Sequence, residues 1–95
     1  MVKADEFIGE ERKSQILNRL ARIEGQVRGL QRMVEEGRYC VEILGQLSAV
    51  HEALRGVGKE VMRNYLEGCV TRAIREGRGG EIYDEVMDIL HKYAR

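Results

Sequence analysis

The sequence predicts an all-α chain that self-associates, on three observations. Its 95 residues contain no proline and only five aromatic side chains, four Tyr and one Phe. Two long segments carry apolar residues alternately four and three apart, the period of an amphipathic helix. So short a chain builds only a thin core of its own, and its apolar faces exceed what three helices can pair internally.

The first stripe is Ile16, Leu20, Ile23, Val27, Leu30 and Val34. Residues 1 to about 10 lack such a pattern and are expected to be loosely ordered. Glu35-Glu36-Gly37 closes this helix, with Gly37 as a left-handed cap. A second helix starts near Arg38 or Tyr39, and its seam is Ile43, Leu47, Val50, Leu54, Val57 and Val61. It continues past Cys69, through Ala73 and Ile74, to the turn Gly77-Arg78-Gly79-Gly80. A short third helix presents Ile82, Val86, Ile89 or Leu90, and Tyr93 on one face. Gly45, Gly56, Gly58 and Gly68 lie inside the second helix, each costing about 1 kcal/mol relative to alanine. Close approach of a neighbouring helix would account for them, and a break at Gly56 to Gly58 is the rival explanation.

Cys40 and Cys69 are 29 residues apart in that second segment. On one continuous α-helix they fall within roughly 20° of the same face, with backbones roughly 43 Å apart. That exceeds the ~7 Å Cα limit for a disulfide, so the thiols of one chain cannot meet. Two antiparallel copies crossing near Leu54 and Arg55 would set Cys40 of each opposite Cys69 of the other. Leu44 then faces Tyr65, Leu47 faces Met62, and His51 meets the gap at Gly58. The plain alternative is that both cysteines are small buried apolar residues.

The formal net charge is zero, yet Arg12 to Arg32 holds six basic residues (Arg12, Lys13, Arg19, Arg22, Arg28, Arg32) against the single acid Glu24. Arg55, Lys59, Arg63, Arg72, Arg75 and Arg78 form a second excess over Glu60, Glu67 and Glu76. Such surfaces are usually solvated helix faces, but the scarcity of acids in the first segment suits a phosphate backbone. No apolar run is long enough to span a membrane and no secretory pattern opens the chain, so a cytoplasmic protein is expected, with cysteines reactive or metal-binding.

The motifs Asn18-Arg19-Leu20, Arg22-Ile23-Glu24-Gly25-Gln26-Val27-Arg28-Gly29, Tyr39-Cys40, Gln46-Leu47-Ser48-Ala49-Val50 and Leu66-Glu67-Gly68-Cys69-Val70 occur in one order. The chain thereby resembles the copper-sensitive operon repressor family, CsoR/RcnR-type, over residues 12 to 90. The resemblance implies a single domain spanning 1–95, with a three-helix protomer, antiparallel dimers and a disc-shaped dihedral tetramer. It implies a DNA-binding repressor, released from its operator when the sensory site is occupied. Metal-sensing members place cysteines at Cys40 and Cys69 and a histidine four residues before the second. This chain has Tyr65 there. A phenol is a poor ligand for a soft monovalent ion, so the departure resembles the persulfide-sensing, CstR-like branch, which keeps both cysteines and lacks the histidine.

The resulting expectation is a repressor without a required cofactor, whose Cys40/Cys69 pair reacts with sulfane sulfur. The alternative is Cu(I) held by the same two thiolates. Tyr39 and Glu85 match family positions linked to the sensory site, and Arg19 matches a basic position tied to DNA contact. Arg12, Lys13, Arg22, Arg28, Arg32, Arg55, Lys59 and Arg63 join it on charge alone. Residues 1 to 15 contain neither the histidine nor the proline that nickel-, cobalt- and formaldehyde-responsive relatives use near the N-terminus. His51 and His91 miss the ligand position. Structural zinc would want four ligands. A helical scaffold without DNA binding is the reading of another class, and an enzyme lacks any base or oxyanion arrangement beside the thiols.

Overall fold

The computed structural model describes residues 8–93. They form α1 (Glu10–Glu35), α2 (Cys40–Asn64), a π-helical segment (Tyr65–Val70), α3 (Thr71–Arg75) and α4 (Gly79–Tyr93). Helical structure runs unbroken from Cys40 to Arg75, so the described chain has three helical runs and two turns. α1 starts at Glu10, and the expectation for residues 1 to about 10 falls mostly outside the described residues.

Both turns are built alike. Gly37 and Gly77 have φ of 68° and 79°, the left-handed region open to a residue without Cβ. At the first, the Gly37 N–H donates to Val34 O (3.1 Å) and the Arg38 N–H to Met33 O (3.0 Å). At the second, the Gly77 N–H donates to Ile74 O (3.2 Å) and the Arg78 N–H to Ala73 O (2.8 Å). This is the Schellman pattern, which satisfies the last carbonyls of a helix as it stops.

Contacts divide the described residues into two compact units, 8–62 and 63–93. In the first, the short turn folds α1 and α2 back antiparallel, and Arg12 near the start of α1 pairs with Glu60 near the end of α2 at 3.9 Å. Ile16, Ile23, Val50 and Val57 are its buried core, with Leu30 and Ala53 packed against them. The two heptad stripes therefore divide. Members seven apart, Ile16, Ile23 and Leu30 on α1 and Ile43, Val50 and Val57 on α2, are buried or half-buried. The interleaved Leu20, Val27 and Val34, and Leu47, Leu54 and Val61, remain 36–61% exposed. In the second unit Ala73 is buried, α4 packs on α3, and Ile82, Val86 and Ile89 are half-buried. Leu90 is exposed, so Ile89 takes the inward place; the Tyr93 side chain lies outside the described residues.

α2 is regular through Gly56-Val57-Gly58, which excludes the break weighed there. The α-helical reading fails seven residues after Gly58. Tyr65–Val70 winds with i→i+5 bonding, so the 100° step per residue does not apply up to Cys69 and the same-face estimate for the two thiols is withdrawn. Within the described chain, a Cβ at Gly45, Gly58 or Gly68 would meet nothing within 4 Å, so no described helix of the same protomer approaches them closely.

Candidate effector site and nucleic-acid interface

Cys40 opens α2, immediately after the turn, and its side chain is exposed. Cys69 is half-buried within the π segment of the other unit. π turns insert one extra residue into a helical turn and recur at functional sites, because they re-aim side chains that an α-helix would hold in fixed rows. Here the turn encloses both Tyr65 and Cys69, the two positions at which the sequence departs from and keeps the family's ligand pattern. The Thr71 hydroxyl donates to Leu66 O at 3.1 Å, five residues back, and so supports the same widened turn.

Tyr65 is half-buried, and its hydroxyl donates a hydrogen bond to the Glu85 carboxylate on α4. Burial, that hydrogen bond, and the negative charges of Glu85 and Cys69 all hold the phenol well above its ordinary value of 10.0. Tyr65 is thus held as a neutral hydrogen-bond donor to Glu85. Glu85, expected near the sensory site, accepts this bond from Tyr65. Tyr39 is 70% exposed at the mouth of α2 in the first unit. His51 and His91 are both exposed. Among the described residues no three His, Cys, Asp or Glu side chains converge to hold a metal ion.

The basic residues are spread over both units. Arg19 and Arg22 line one groove with Ile23, Gln26 and Ala53. Arg28 and Arg32 line another, walled by Val27, Leu30, Val34, Ile43 and Leu47. Arg12 is engaged with Glu60, while Lys13, Arg55, Lys59 and Arg63 are exposed. Arg78 is drawn to Glu76 at 2.6 Å. No described helix is long and apolar enough to cross a membrane.

Comparison with known proteins agrees with this architecture. A copper-sensing transcriptional repressor CsoR from Bacillus subtilis is 47% identical over 83 residues, covering 87% of this chain and 82% of the relative. The copper-sensing transcriptional repressor RicR from Mycobacterium tuberculosis is 49% identical over 70 residues, 74% of this chain and 73% of its own. The crystal structure of the copper-sensing repressor CsoR with Cu(I) from Geobacillus thermodenitrificans superposes with a TM-score of 0.88 at 44% identity, covering 100% of this chain and 95% of that one. The nickel-responsive transcriptional regulator InrS gives 0.75 at 34% identity, over 97% and 98% of the two chains. These relatives are named for metals, which corrects the order of effectors expected from Tyr65: sulfane sulfur finds no support among them. Residues 12–92 match the model of the metal-sensitive transcriptional repressors, and the chain belongs to that family, CsoR/RcnR-type, a family of repressors and not of enzymes.

Proposed function

We propose that this repressor leaves its operator when Cu(I) is held between Cys40 of one protomer and Cys69 of a second. The observation that carries the reading is the donor set: two thiols are present, and the Tyr65 phenol, held protonated by burial and by its bond to Glu85, donates a hydrogen bond to that carboxylate. Two soft thiolates in near-linear geometry suit Cu(I) and suit harder divalent ions poorly. The copper-sensing relatives support the same effector. Operator binding falls to the basic groups of α1 and α2, with Arg19 foremost, and takes place in the cytoplasm, where the operator is.

Self-association follows from the divided stripes. Leu20, Val27, Val34, Leu47, Leu54 and Val61 form regular apolar rows that the chain's own hairpin leaves open, which suits antiparallel dimers and a tetramer built from two of them. Such an assembly also supplies the second thiol. Tyr39 and Glu85 flank the site in this reading, Glu85 through its bond to Tyr65.

One observation favours a second effector on the same thiols. Tyr65 replaces an imidazole, and a pair of thiols without it is suited to sulfane sulfur. One thiolate would take the outer sulfur of a hydropersulfide and release the donor's thiolate. The partner thiolate would then displace hydrosulfide to close a disulfide, or a longer bridge from longer polysulfides.

The test is intact mass under denaturing, non-reducing conditions after separate exposure to Cu(I) and to polysulfide, with operator binding followed in parallel. Unmodified chains, stoichiometric Cu(I) and release by copper alone support the first reading. A dithiothreitol-reversible dimer and release by polysulfide alone would overturn it in favour of the second.

A further inference from the structure

Gly56 lies in the interior of α2 with ordinary helical backbone, so nothing in its conformation asks for glycine. Glycine there destabilises the helix relative to alanine. The surroundings supply the reason. A Cβ at this position would stand 3.1 Å from Nη1 of Arg19, whereas a Cβ at Gly45, Gly58 or Gly68 would meet nothing. The Arg19 guanidinium thus rests on the bare backbone of the neighbouring helix. Along α1, Arg19, Arg22 and Gln26 are spaced three and four apart and share one face, and all three line a single groove floored by Ile23 and Ala53.

We propose that Gly56 is a positioning residue for operator recognition: its missing side chain lets the Arg19 guanidinium lie against α2, where Arg19, Arg22 and Gln26 form one seat for a DNA backbone phosphate. This rests on the repressor reading above and goes beyond it. Two guanidinium groups and a carboxamide offer several N–H donors to one anion, the arrangement in which planar forks outperform flexible ammonium groups. An arginine already lying against a helix loses less rotamer freedom on binding, so the contact is stronger for the same charge. Alanine at position 56 would lift the guanidinium off its support by a few tenths of an ångström and return that freedom, without removing any charge.

The experiment uses the full chain and a fluorescent duplex selected by the wild-type protein from a random-sequence pool. Gly56→Ala should raise the melting temperature and yet weaken operator affinity about three- to tenfold, with the salt dependence of binding unchanged. Arg19→Ala should weaken binding and reduce the salt slope by about one phosphate contact. In the Arg19→Ala background, Gly56→Ala should have no further effect. Undiminished affinity of Gly56→Ala, or an equal loss with and without Arg19, overturns the proposal while leaving the repressor reading intact. Failure of the wild-type chain to select any duplex overturns both.

Discussion

Replacing Tyr65 with phenylalanine removes one hydroxyl and leaves the ring, so it isolates the bond between the π segment and α4. A hydrogen bond to a charged acceptor contributes about 1.5–3 kcal/mol where water is excluded. Tyr65 is half-buried and Glu85 is exposed, so water takes up much of the lost contact, and about 0.5–1 kcal/mol remains. For a domain of this size that lowers the melting temperature by roughly 2–8 °C. The pH dependence has a definite sign. The native phenol holds its proton above the ordinary value of 10.0, so the contribution is complete below that pH. It is lost as pH rises further, because the unfolded chain ionises first. Thermal melts of both proteins from neutrality to about pH 11 should therefore converge as the ordinary tyrosine range is passed. Near-ultraviolet phenolate absorbance should show one of the four tyrosines titrating late, and the substitution should abolish that step. If two thiolates alone hold the metal, Cu(I) affinity should stay within about twofold. Equal melting temperatures with a common titration of all tyrosines would refute the bond; a tenfold loss of Cu(I) affinity would make the oxygen a ligand.

Tyr65→His restores an imidazole beside Cys69 and should tighten Cu(I) binding by about tenfold or more, read by competition with a chelator of known affinity. Cys40→Ala and Cys69→Ala should each retain operator binding and lose the response to Cu(I) in the same anisotropy assay. Gly37→Ala forces a Cβ into left-handed backbone at φ 68° and should cost about 1–2 kcal/mol, visible in urea unfolding. Thr71→Val removes the 3.1 Å bond to Leu66 O and should speed hydrogen exchange of amides in 65–71, with about 0.5–1.5 kcal/mol lost.

Much of the fold can be read from local chemistry. The heptad stripes locate both long helices, and the Glu-Gly-Arg triplets at 36–38 and 76–78 mark where they stop, because glycine after an apolar period is the residue that closes a Schellman turn. Which half of each stripe packs inside the chain is not readable from one helix, since Ile16 and Leu20 are chemically alike. Pairing with α2 decides it. The π turn escaped for a different reason. A single widened turn keeps helical composition and changes only the hydrogen-bond partner, and Gly68 was the sole irregularity above it. The site was half legible. The loss of the histidine at Tyr65 stands out against the family pattern, but the partner that fixes its proton, Glu85, is 20 residues away and meets it only through tertiary packing. The use of Gly56 was equally hidden, since its neighbour Arg19 lies on another helix.

The two turns have a consequence for how the molecule can move. Each is closed by paired backbone hydrogen bonds around a glycine already in its preferred well, so neither is a slack tether, and their flanking arginines are pinned to Glu42 and Glu76 at 2.5 and 2.6 Å. With both connectors closed by hydrogen bonds, the irregular winding within residues 8–93 is confined to Tyr65–Val70. Cys69 lies within that irregular turn, and hydrogen exchange of amides 65–70 measured against those of the two glycine turns would rank their openings.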